Sequence, residues 1–266
     1  MVNLLANIKT EAKEVLVSKQ IIKGLVYSRL FGNYKNTTLG FCWHFVSPLL
    51  LLVVYYIVFV EIRSTPIDHF LVFLSSVMFP FNFLLGSFTG GAGCIISNAS
   101  MIRKMYFPRS ILVLSHIISN LIIMCIGYLI VAVIIVVDDF SVNGLLLLLL
   151  PFEIIMMAVF GTGCSLFFSA VTVYWRDVQY ILTSITTLLL FVSPVYFMAS
   201  NVGGLLGEVI WYNPFTYFIE PLHYIIYLGE LPPVSITVVQ LVLTAFVFVL
   251  GTVVFIKLKN GFTERV

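Results

Sequence analysis

The side chains that most often carry catalysis are few in this sequence of 266 residues and form no catalytic pattern. The four histidines and four cysteines are scattered, without the spacing of a metal site or of a nucleophile with its base. The sequence contains no GxxxxGK[ST] phosphate loop, no HExxH and no GxSxG. We therefore predict no catalytic residue, no metal site and no cofactor in this chain.

One segment, residues 97–110, has a composition suited to binding. It places Arg103, Lys104 and Arg109 beside Tyr106 and Phe107, and we expect Pro108 to end its helix. Such a basic, amphipathic element either anchors a chain at a membrane surface or docks a soluble partner. Charge alone does not separate these two interpretations.

A second segment, residues 200–234, is rich in aromatic residues and prolines and contains no Lys or Arg. It is too apolar for a free loop and too interrupted for a spanning helix, so we predict two short helices that dip back into the outer leaflet of a membrane and pack against protein. We call residues 200–234 the outer segment. Aromatic side chains at an interface often serve only as anchors. Because aromatic faces also stack on sugar rings, the same residues are candidates for glycan contacts.

The elements that position these segments are six long apolar stretches, near 41–60, 70–94, 111–137, 144–173, 180–199 and 235–256. A helix needs about 20 apolar residues to cross a bilayer. The chain is 61% hydrophobic and 10% charged, whereas a soluble domain carries about 25% charged residues. We predict an all-α integral membrane protein with six transmembrane helices.

The basic residues are concentrated in the termini and in alternate connections between the apolar stretches, which would lie on one side of the membrane. Only Arg63, of the 14 Lys and Arg residues, lies in the first, third or fifth connection between stretches. Because cytoplasmic loops collect Lys and Arg, we expect both termini and residues 97–110 in the cytoplasm.

Residues 4–31 carry apolar residues at helical spacing with lysines between them. This pattern favours an amphipathic helix on the inner membrane surface over a solvated basic tail. The chain thus divides into an interface segment, residues 1–40, and a six-helix transmembrane domain, residues 41–266.

Two features inside the predicted spans invite a functional interpretation. Glu153 is the only acid deep in a span, and we interpret it as a carboxylate that faces water or a partner at an interface. With no further intramembrane acids, an ion-coupled carrier is disfavoured. Gly86 and Gly90 form a GxxxG pattern, which is a weak signal of close helix approach.

Several short motifs occur in an order typical of one family. Leu39-Gly40-Phe41-Cys42-Trp43, followed by Ser47-Pro48-Leu49-Leu50, opens the first span, and residues 98–109 read N-A-S-M-I-R-K-M-Y-F-P-R. Arg176-Asp177-Val178 and Ser193-Pro194-Val195-Tyr196 flank the fifth span, and Asn213-Pro214 lies in the outer segment. Together these motifs resemble the membrane subunits of ABC exporters for bacterial cell-surface polysaccharides, those of O-antigen and wall teichoic acid.

The resemblance implies an assembly in the bacterial cytoplasmic (inner) membrane. It implies a homodimer with two separate ATP-binding subunits, which hold ATP and Mg²⁺, a lipid-linked polysaccharide as substrate, membrane lipids around it and no nucleic acid. It also implies an outer gate formed by residues 200–234.

The resemblance assigns roles to individual residues. Those that would couple to the ATPase are Met101, Ile102, Arg103, Lys104, Tyr106, Phe107, Pro108 and Arg109. Those at the substrate entry would be Lys35, Leu39, Gly40 and Trp43, and Arg176 and Asp177 would form a cytoplasmic loop. Those along the glycan channel and exit gate would be Tyr55, Tyr56, Phe59, Tyr196, Trp211, Tyr212, Asn213, Pro214, Phe215 and Tyr217.

Part of the family pattern is absent. Members often carry a basic residue six positions before the Leu of the Leu-Gly pair, where this chain has Asn33. Composition and topology suit a membrane scaffold for a cytoplasmic enzyme equally well, and an ABC permease for another lipid or small molecule is a further alternative.

Overall fold

The computed structural model describes residues 10–11, 13–32, 37–62 and 67–265. Over these residues the chain is helical and contains no strand. The helices are α1 (Lys19–Gly32), α2 (Trp43–Tyr56), α3 (Phe70–Gly93), α4 (Ala99–Lys104), α5 (Ser110–Val137), α6 (Leu150–Tyr174), α7 (Asp177–Val192), α8 (Gly204–Tyr212), α9 (Thr216–Leu222), α10 (Val234–Leu258) and α11 (Phe262–Arg265). Two π-helical segments, Ile57–Ile62 and His223–Leu228, continue α2 and α9.

Five helical segments of the described chain are long and apolar enough to cross a membrane. They are Gly40–Ile62, Phe70–Gly93, Ser110–Val137, Leu146–Tyr174 and Val234–Gly261. Each coincides with one of the predicted stretches, so the all-helical membrane class is confirmed.

The remaining stretch, predicted at 180–199, differs from the expectation. Its helix, α7, has 16 residues, begins at Asp177 and ends at Val192. Ser193 is extended, with a ψ of 144°, because Pro194 disfavours a helical conformation in the residue before it. At about 1.5 Å per residue, α7 is roughly 24 Å long, which is less than the hydrocarbon thickness of about 30 Å.

Helix α3 lies at the centre of the molecule, with 16 of its 24 residues buried. It packs against α5 and α6 along its length and against α7 and the segment His223–Leu228 over shorter stretches. Its phenylalanines form a core with rings from α6 and α9, for example Phe160 and Phe218.

Small residues allow the central helices to approach closely. The α6–α10 interface is the most extensive in the described chain, and at Gly163 the backbone of Phe248 lies where a side chain would stand. On the other side of α6, the Ser165 hydroxyl donates a hydrogen bond to the carbonyl oxygen of Ser87 in α3, at 2.7 Å. Since lipid offers no hydrophobic drive for helix association, such close packing and hydrogen bonding hold the helices together.

Helices α2 and α7 pack much less. Only Leu52 is buried in α2, and only Val178 and Leu182 are buried in α7. Most of the surface of each helix is therefore not covered by the described part of this chain.

The amino-terminal helix predicted over 4–31 is interrupted. Residues 13–17 are helical, Ser18 forms a turn in which its hydroxyl donates to the carbonyl oxygen of Glu14, and α1 begins at Lys19. This local hydrogen bond competes with the helical pattern, as is common for serine. Helix α1 packs along α5, and residues 4–9 lie outside the described residues.

Glu153 does not face water or a partner, contrary to the interpretation from sequence. Its side chain is buried between helices, and Gln240 of α10 donates a hydrogen bond to its carboxyl group at 2.6 Å. The sequence could not show this pairing because 87 residues separate the two side chains.

The close α6–α10 contact leads to a stability prediction. In Gly163→Ala the new Cβ would lie 2.7 Å from the Cα of Phe248, so the helices must separate. Overpacking of this kind costs about 1–3 kcal/mol. We expect a lower thermal unfolding midpoint for the variant in detergent. The control is Gly144→Ala, whose Cβ has no neighbour within 4 Å; equal midpoints for the two variants would contradict the role of Gly163.

Candidate functional site

The segment 98–109 is anchored by two apolar side chains and presents polar ones. The Asn98 amide donates to the carbonyl oxygen of Cys94 at 2.7 Å, which closes the end of α3. Ile102 and Phe107 are buried in a second core cluster, together with Ile111 of α5. These contacts fix the segment to the helical bundle while its other residues remain accessible.

The helix in this segment is shorter than predicted. It spans Ala99–Lys104, and Met105 already has an extended backbone with φ −136° and ψ 141°. The predicted end at Pro108 is therefore wrong, because burial of Phe107 requires the chain to turn back toward the bundle before the proline. As a result Tyr106 protrudes, with 86% of its surface exposed, and the Arg109 guanidinium lies 5.9 Å from its ring centroid.

The remaining residues of the segment that were assigned to ATPase coupling surround this tyrosine. Arg103 and Lys104 are exposed, and Met101 and Pro108 are half-buried. The segment thus offers an aromatic side chain surrounded by basic groups, a combination that suits recognition of another protein.

Glu11 joins this segment to both ends of the chain. Ser110 donates to its carboxylate at 2.7 Å, and Lys259 forms an ion pair with the same carboxylate. The amino-terminal region, the segment 98–109 and the carboxy-terminal region therefore meet at one end of the bundle, which we call the basic end. Sequence reasoning missed Glu11, whose only signal was its position as an acid among lysines.

The entry to the first span lies at the end of α1. Gly40 has a φ of +50°, a conformation that glycine adopts most readily, and its N–H donates to the Thr37 hydroxyl at 3.1 Å. Leu39 is exposed and Trp43 half-buried. Lys35, the fourth predicted entry residue, lies outside the described residues.

A cleft of about 360 Å³ opens between α2, α3 and α5. Its polar lining residues are His44, Ser47, Asn82 and Asn120. Sequence reasoning did not identify this cleft, because its four polar residues come from three separate helices.

The start of α7 is polar and accessible. Arg176 and Asp177 are exposed, and the Trp175 indole donates to the Asp177 carboxylate at 3.3 Å. Further along the helix the exposed side chains include Gln179, Thr183, Ser184 and Thr187. Thr183 and Ser184 bond back to carbonyl groups of their own helix, which leaves this face polar but locally satisfied.

Three of the predicted channel residues form one aromatic cluster. The ring of Tyr196 stacks on Phe59, with centroids 5.2 Å apart and planes 7° from parallel, and meets Tyr55 at 4.8 Å. Tyr56 is half-buried. The cluster connects the π-helical end of the first span to the irregular segment after α7.

The outer segment forms a second aromatic group. The rings of Trp211 and Tyr217 lie 5.9 Å apart, and both line a pocket of about 370 Å³ with Tyr224 and Pro233. Tyr212 is 86% exposed, and Pro214 is half-buried. No ring contact in the described chain joins this group to the cluster of Tyr196.

Two of the predicted gate residues have packing roles. Phe215 is completely buried and contacts Phe81 and Phe88 of α3, so it faces the core. Asn213 is also buried; its amide nitrogen donates to the Ser193 hydroxyl at 2.9 Å, and its side-chain oxygen accepts from the Phe215 N–H. Both residues hold the outer helices in place.

Glu220 and His223 also attach the outer helices to the segment after α7, and sequence reasoning missed both. The Glu220 carboxylate accepts a hydrogen bond from the Ala199 N–H, and the His223 Nε2–H donates to the carbonyl oxygen of Pro194 at 2.9 Å. The His223 ring stacks on Phe73, with centroids 4.0 Å apart. These two hydrogen bonds join α9 and the segment His223–Leu228 to the segment that contains Tyr196.

Across the described residues, no group of three or more His, Cys, Asp or Glu side chains is arranged to hold a metal ion. The candidate site consists of exposed aromatic and basic side chains at the basic end, a polar cleft and two aromatic groups. Such an arrangement can bind and move a ligand, and it contains no nucleophile with an adjacent base.

The sequence of this chain is similar to those of known membrane proteins. The chain is 27% identical over 236 residues to the O-antigen export system permease protein RfbA of Klebsiella pneumoniae, covering 87% of this chain and 89% of the relative. It is 26% identical over 192 residues to a protein of the same name from Myxococcus xanthus, covering 71% of this chain and 73% of that relative.

The family described as ABC-2 type transporter matches residues 22–227, which include α2 to α9 and both aromatic groups. The five long apolar helices agree with the multi-pass membrane subunits of such transporters. This chain belongs to the ABC-2 type transporter family.

Proposed function

We propose that this chain is the transmembrane subunit of an ATP-driven exporter that moves a lipid-linked cell-surface polysaccharide out of the bacterial cytoplasm. The relatives named O-antigen export system permease protein support an O-antigen-like substrate. The observation that carries the transport role is the segment 98–109, whose buried Ile102 and Phe107 hold an exposed Tyr106 at the basic end.

The proposed topology has six spans. Helix α7 crosses the membrane as the fifth span, extended by the irregular segment 193–199, and α8 and α9 dip into the outer leaflet. The basic end faces the cytoplasm, which agrees with the sorting of Lys and Arg along the sequence. In this arrangement both termini lie in the cytoplasm, and the protein resides in the inner membrane.

The exposed faces of α2 and α7 support a homodimer. The uncovered face of α7 carries Gln179, Thr183 and Thr187. The two threonine hydroxyls bond to carbonyl groups of their own helix, whereas the Gln179 amide is more stable with protein or water around it than with lipid. A second copy that brings the same faces together would enclose a polar path. Two such faces lining one path would isolate the glycan from lipid.

The proposed mechanism has two states. ATP and Mg²⁺ bind to two separate ATPase subunits, which close and move the segments 98–109 with them. Because Ser110 follows each segment directly and bonds to Glu11, this motion reaches α5 and the amino-terminal region together. Substrate enters beside Leu39, Gly40 and Trp43 and leaves past Tyr196, Trp211 and Tyr217.

The docking role predicts a specific loss. In Tyr106→Ala and Arg109→Ala the chain should fold but lose the aromatic contact and its cationic neighbour, so the ATPase encoded beside it should bind roughly tenfold or more weakly. The measurement is co-purification of the ATPase, together with ATP turnover and surface polysaccharide. The control, Tyr27→Ala, removes an exposed tyrosine of α1. Wild-type export in both Tyr106→Ala and Arg109→Ala would contradict the docking role.

The exit role predicts a different defect. Tyr196→Ala removes the ring that stacks on Phe59. We expect a folded chain that still binds the ATPase but exports several-fold less polysaccharide, since each lost aromatic contact contributes about 0.5–1.5 kcal/mol. Tyr196→Phe is the matched control, because it keeps the ring. A scaffold without transport activity would lose stability in Tyr196→Ala, with no separate defect in export.

A further inference from the structure

The carboxy-terminal region, residues 258–265, is fixed to the end of α6. The Tyr174 hydroxyl of α6 donates to the carbonyl oxygen of Leu258 at 3.0 Å. A Cβ on Gly261 would overlap the same tyrosine oxygen, so glycine is required for this close approach. The Arg265 guanidinium lies over the Tyr174 ring, 4.5 Å from its centroid. The region therefore has a defined position at the basic end.

The carboxy-terminal region also shares an apolar core with the segment 98–109. Phe262 is completely buried, in the same core cluster as Ile102 and Phe107, which anchor that segment. Protein cores are close-packed, so a displacement of one of these side chains changes the packing of the others. The position of the segment 98–109 therefore depends on contacts that the carboxy-terminal region helps to make.

Glu11 adds a polar bridge between the same two regions. The Ser110 hydroxyl donates to one of its carboxylate oxygens at 2.7 Å, and the Lys259 ammonium group forms an ion pair with the other oxygen. Only 10% of the Glu11 side chain and 19% of the Lys259 side chain are exposed. Breaking a largely buried ion pair leaves an uncompensated charge, so the bridge resists separation. Because Ser110 directly follows Arg109, the bridge reaches the end of the segment.

The bridge lies beside the exposed tyrosine. A cleft of about 120 Å³ is lined by Glu11, by Tyr106 and Arg109 of the segment, and by Lys259 and Asn260 of the carboxy-terminal region. The ion pair between Glu11 and Lys259 therefore joins two walls of the cleft whose third wall carries Tyr106. Since the Tyr106 side chain is itself 86% exposed, its place on the surface is set by the backbone that the bridge holds at Ser110.

We propose that Glu11 is a positioning residue for the docking of the ATPase subunit. Its carboxylate holds Ser110 and Lys259 together and thereby transmits the fixed position of the carboxy-terminal region to Tyr106. A surface that is already held in its binding conformation loses less conformational freedom when the partner binds. This inference rests on the proposed function, because it concerns the ATPase that the segment 98–109 is proposed to bind.

The test titrates the purified ATPase encoded beside this chain against the full chain in nanodiscs. It measures the dissociation constant, ATP turnover at saturation and the thermal unfolding midpoint. In Glu11→Gln the side chain keeps its shape but loses its charge, so we expect about fivefold weaker ATPase binding, because Lys259 is left without its partner. Ser110→Ala removes the single hydroxyl of the bridge and should give a smaller loss.

The matched control is Glu14→Gln. Glu14 lies on the same amino-terminal stretch, is half-buried and lines the same cleft, but it belongs to neither ion pair of the described chain. The variant removes an identical charge from the cleft without cutting the bridge, and we expect it to bind the ATPase as the wild-type chain does.

Reversal of the ion pair separates positioning from local charge. Glu11→Lys and Lys259→Glu should each weaken ATPase binding, and the double variant should recover most of it, because residues in direct contact show such coupling. The Ser110 hydroxyl can accept a hydrogen bond from a lysine at position 11 as readily as it donates one to glutamate. Gly163→Ala, which lowers stability half-way along α6, should keep the wild-type dissociation constant.

The outcomes decide the proposal. Wild-type affinity in Glu11→Gln, or equal losses in Glu11→Gln and Glu14→Gln, would overturn the positioning role. Losses of affinity that follow the unfolding midpoint across all variants, Gly163→Ala included, would show a role in stability alone and would also overturn it. A wild-type chain that does not bind the ATPase would instead contradict the proposed function, and this result is obtained before any variant is measured.

Discussion

Close contact between α3, α6 and α10 is the constraint on which the rest of the structure depends. Gly163 and Gly251 bring α6 and α10 together so closely that neither position has room for a side chain. Gly91 of α3 contacts Ser165 of α6 in the same way. Because lipid is as apolar as the helix surfaces, this contact between small residues, rather than exclusion of water, holds the three helices. Helix α3 is buried as a consequence and becomes the common support for the cleft, the core and the outer helices.

Buried polar side chains have the complementary role of holding the irregular segments. Residues 193–199 leave backbone groups without helical partners, which is costly in an apolar environment. Glu220 accepts a hydrogen bond from the Ala199 N–H, and His223 donates one to the carbonyl oxygen of Pro194. Asn213 donates to the side-chain hydroxyl of Ser193. These residues therefore stabilise the irregular segment after α7, where Tyr196 meets Phe59. The same hydrogen bonds attach α8 and α9 to the segment that carries Tyr196 of the aromatic cluster.

The two ends of the helical bundle differ in the contacts that their side chains make. At the basic end, Glu11 connects Ser110 and Lys259, and Arg29 approaches His116, so charged groups join separate helices. Near the other end of the bundle, Phe140 stacks on Tyr227, and an ion pair joins His69 to Asp138.

The amino-acid sequence by itself determined the helical membrane class, five of the spans and the family. These properties depend on long apolar runs and on short motifs such as residues 98–109, both of which are local in the chain. The ends of helices were less predictable. Helix α4 stops at Lys104, because burial of Phe107 depends on a neighbouring helix. Helix α7 stops at Val192 because Pro194 disfavours a helical conformation at Ser193, a local effect that the predicted stretch 180–199 did not take into account.

Only the tertiary structure decided which polar residues meet. Glu153 with Gln240, Glu11 with Lys259, and Arg29 with His116 are separated by 87, 248 and 87 residues. No periodicity in the sequence encodes such pairs, because the pattern of one helix does not specify which residue of a neighbouring helix each side chain will face. Gly86 and Gly90 of α3 show the same limit. The GxxxG pattern permitted close approach of a helix, and the packing of α5 determined that Asn120 and His116 lie against these glycines.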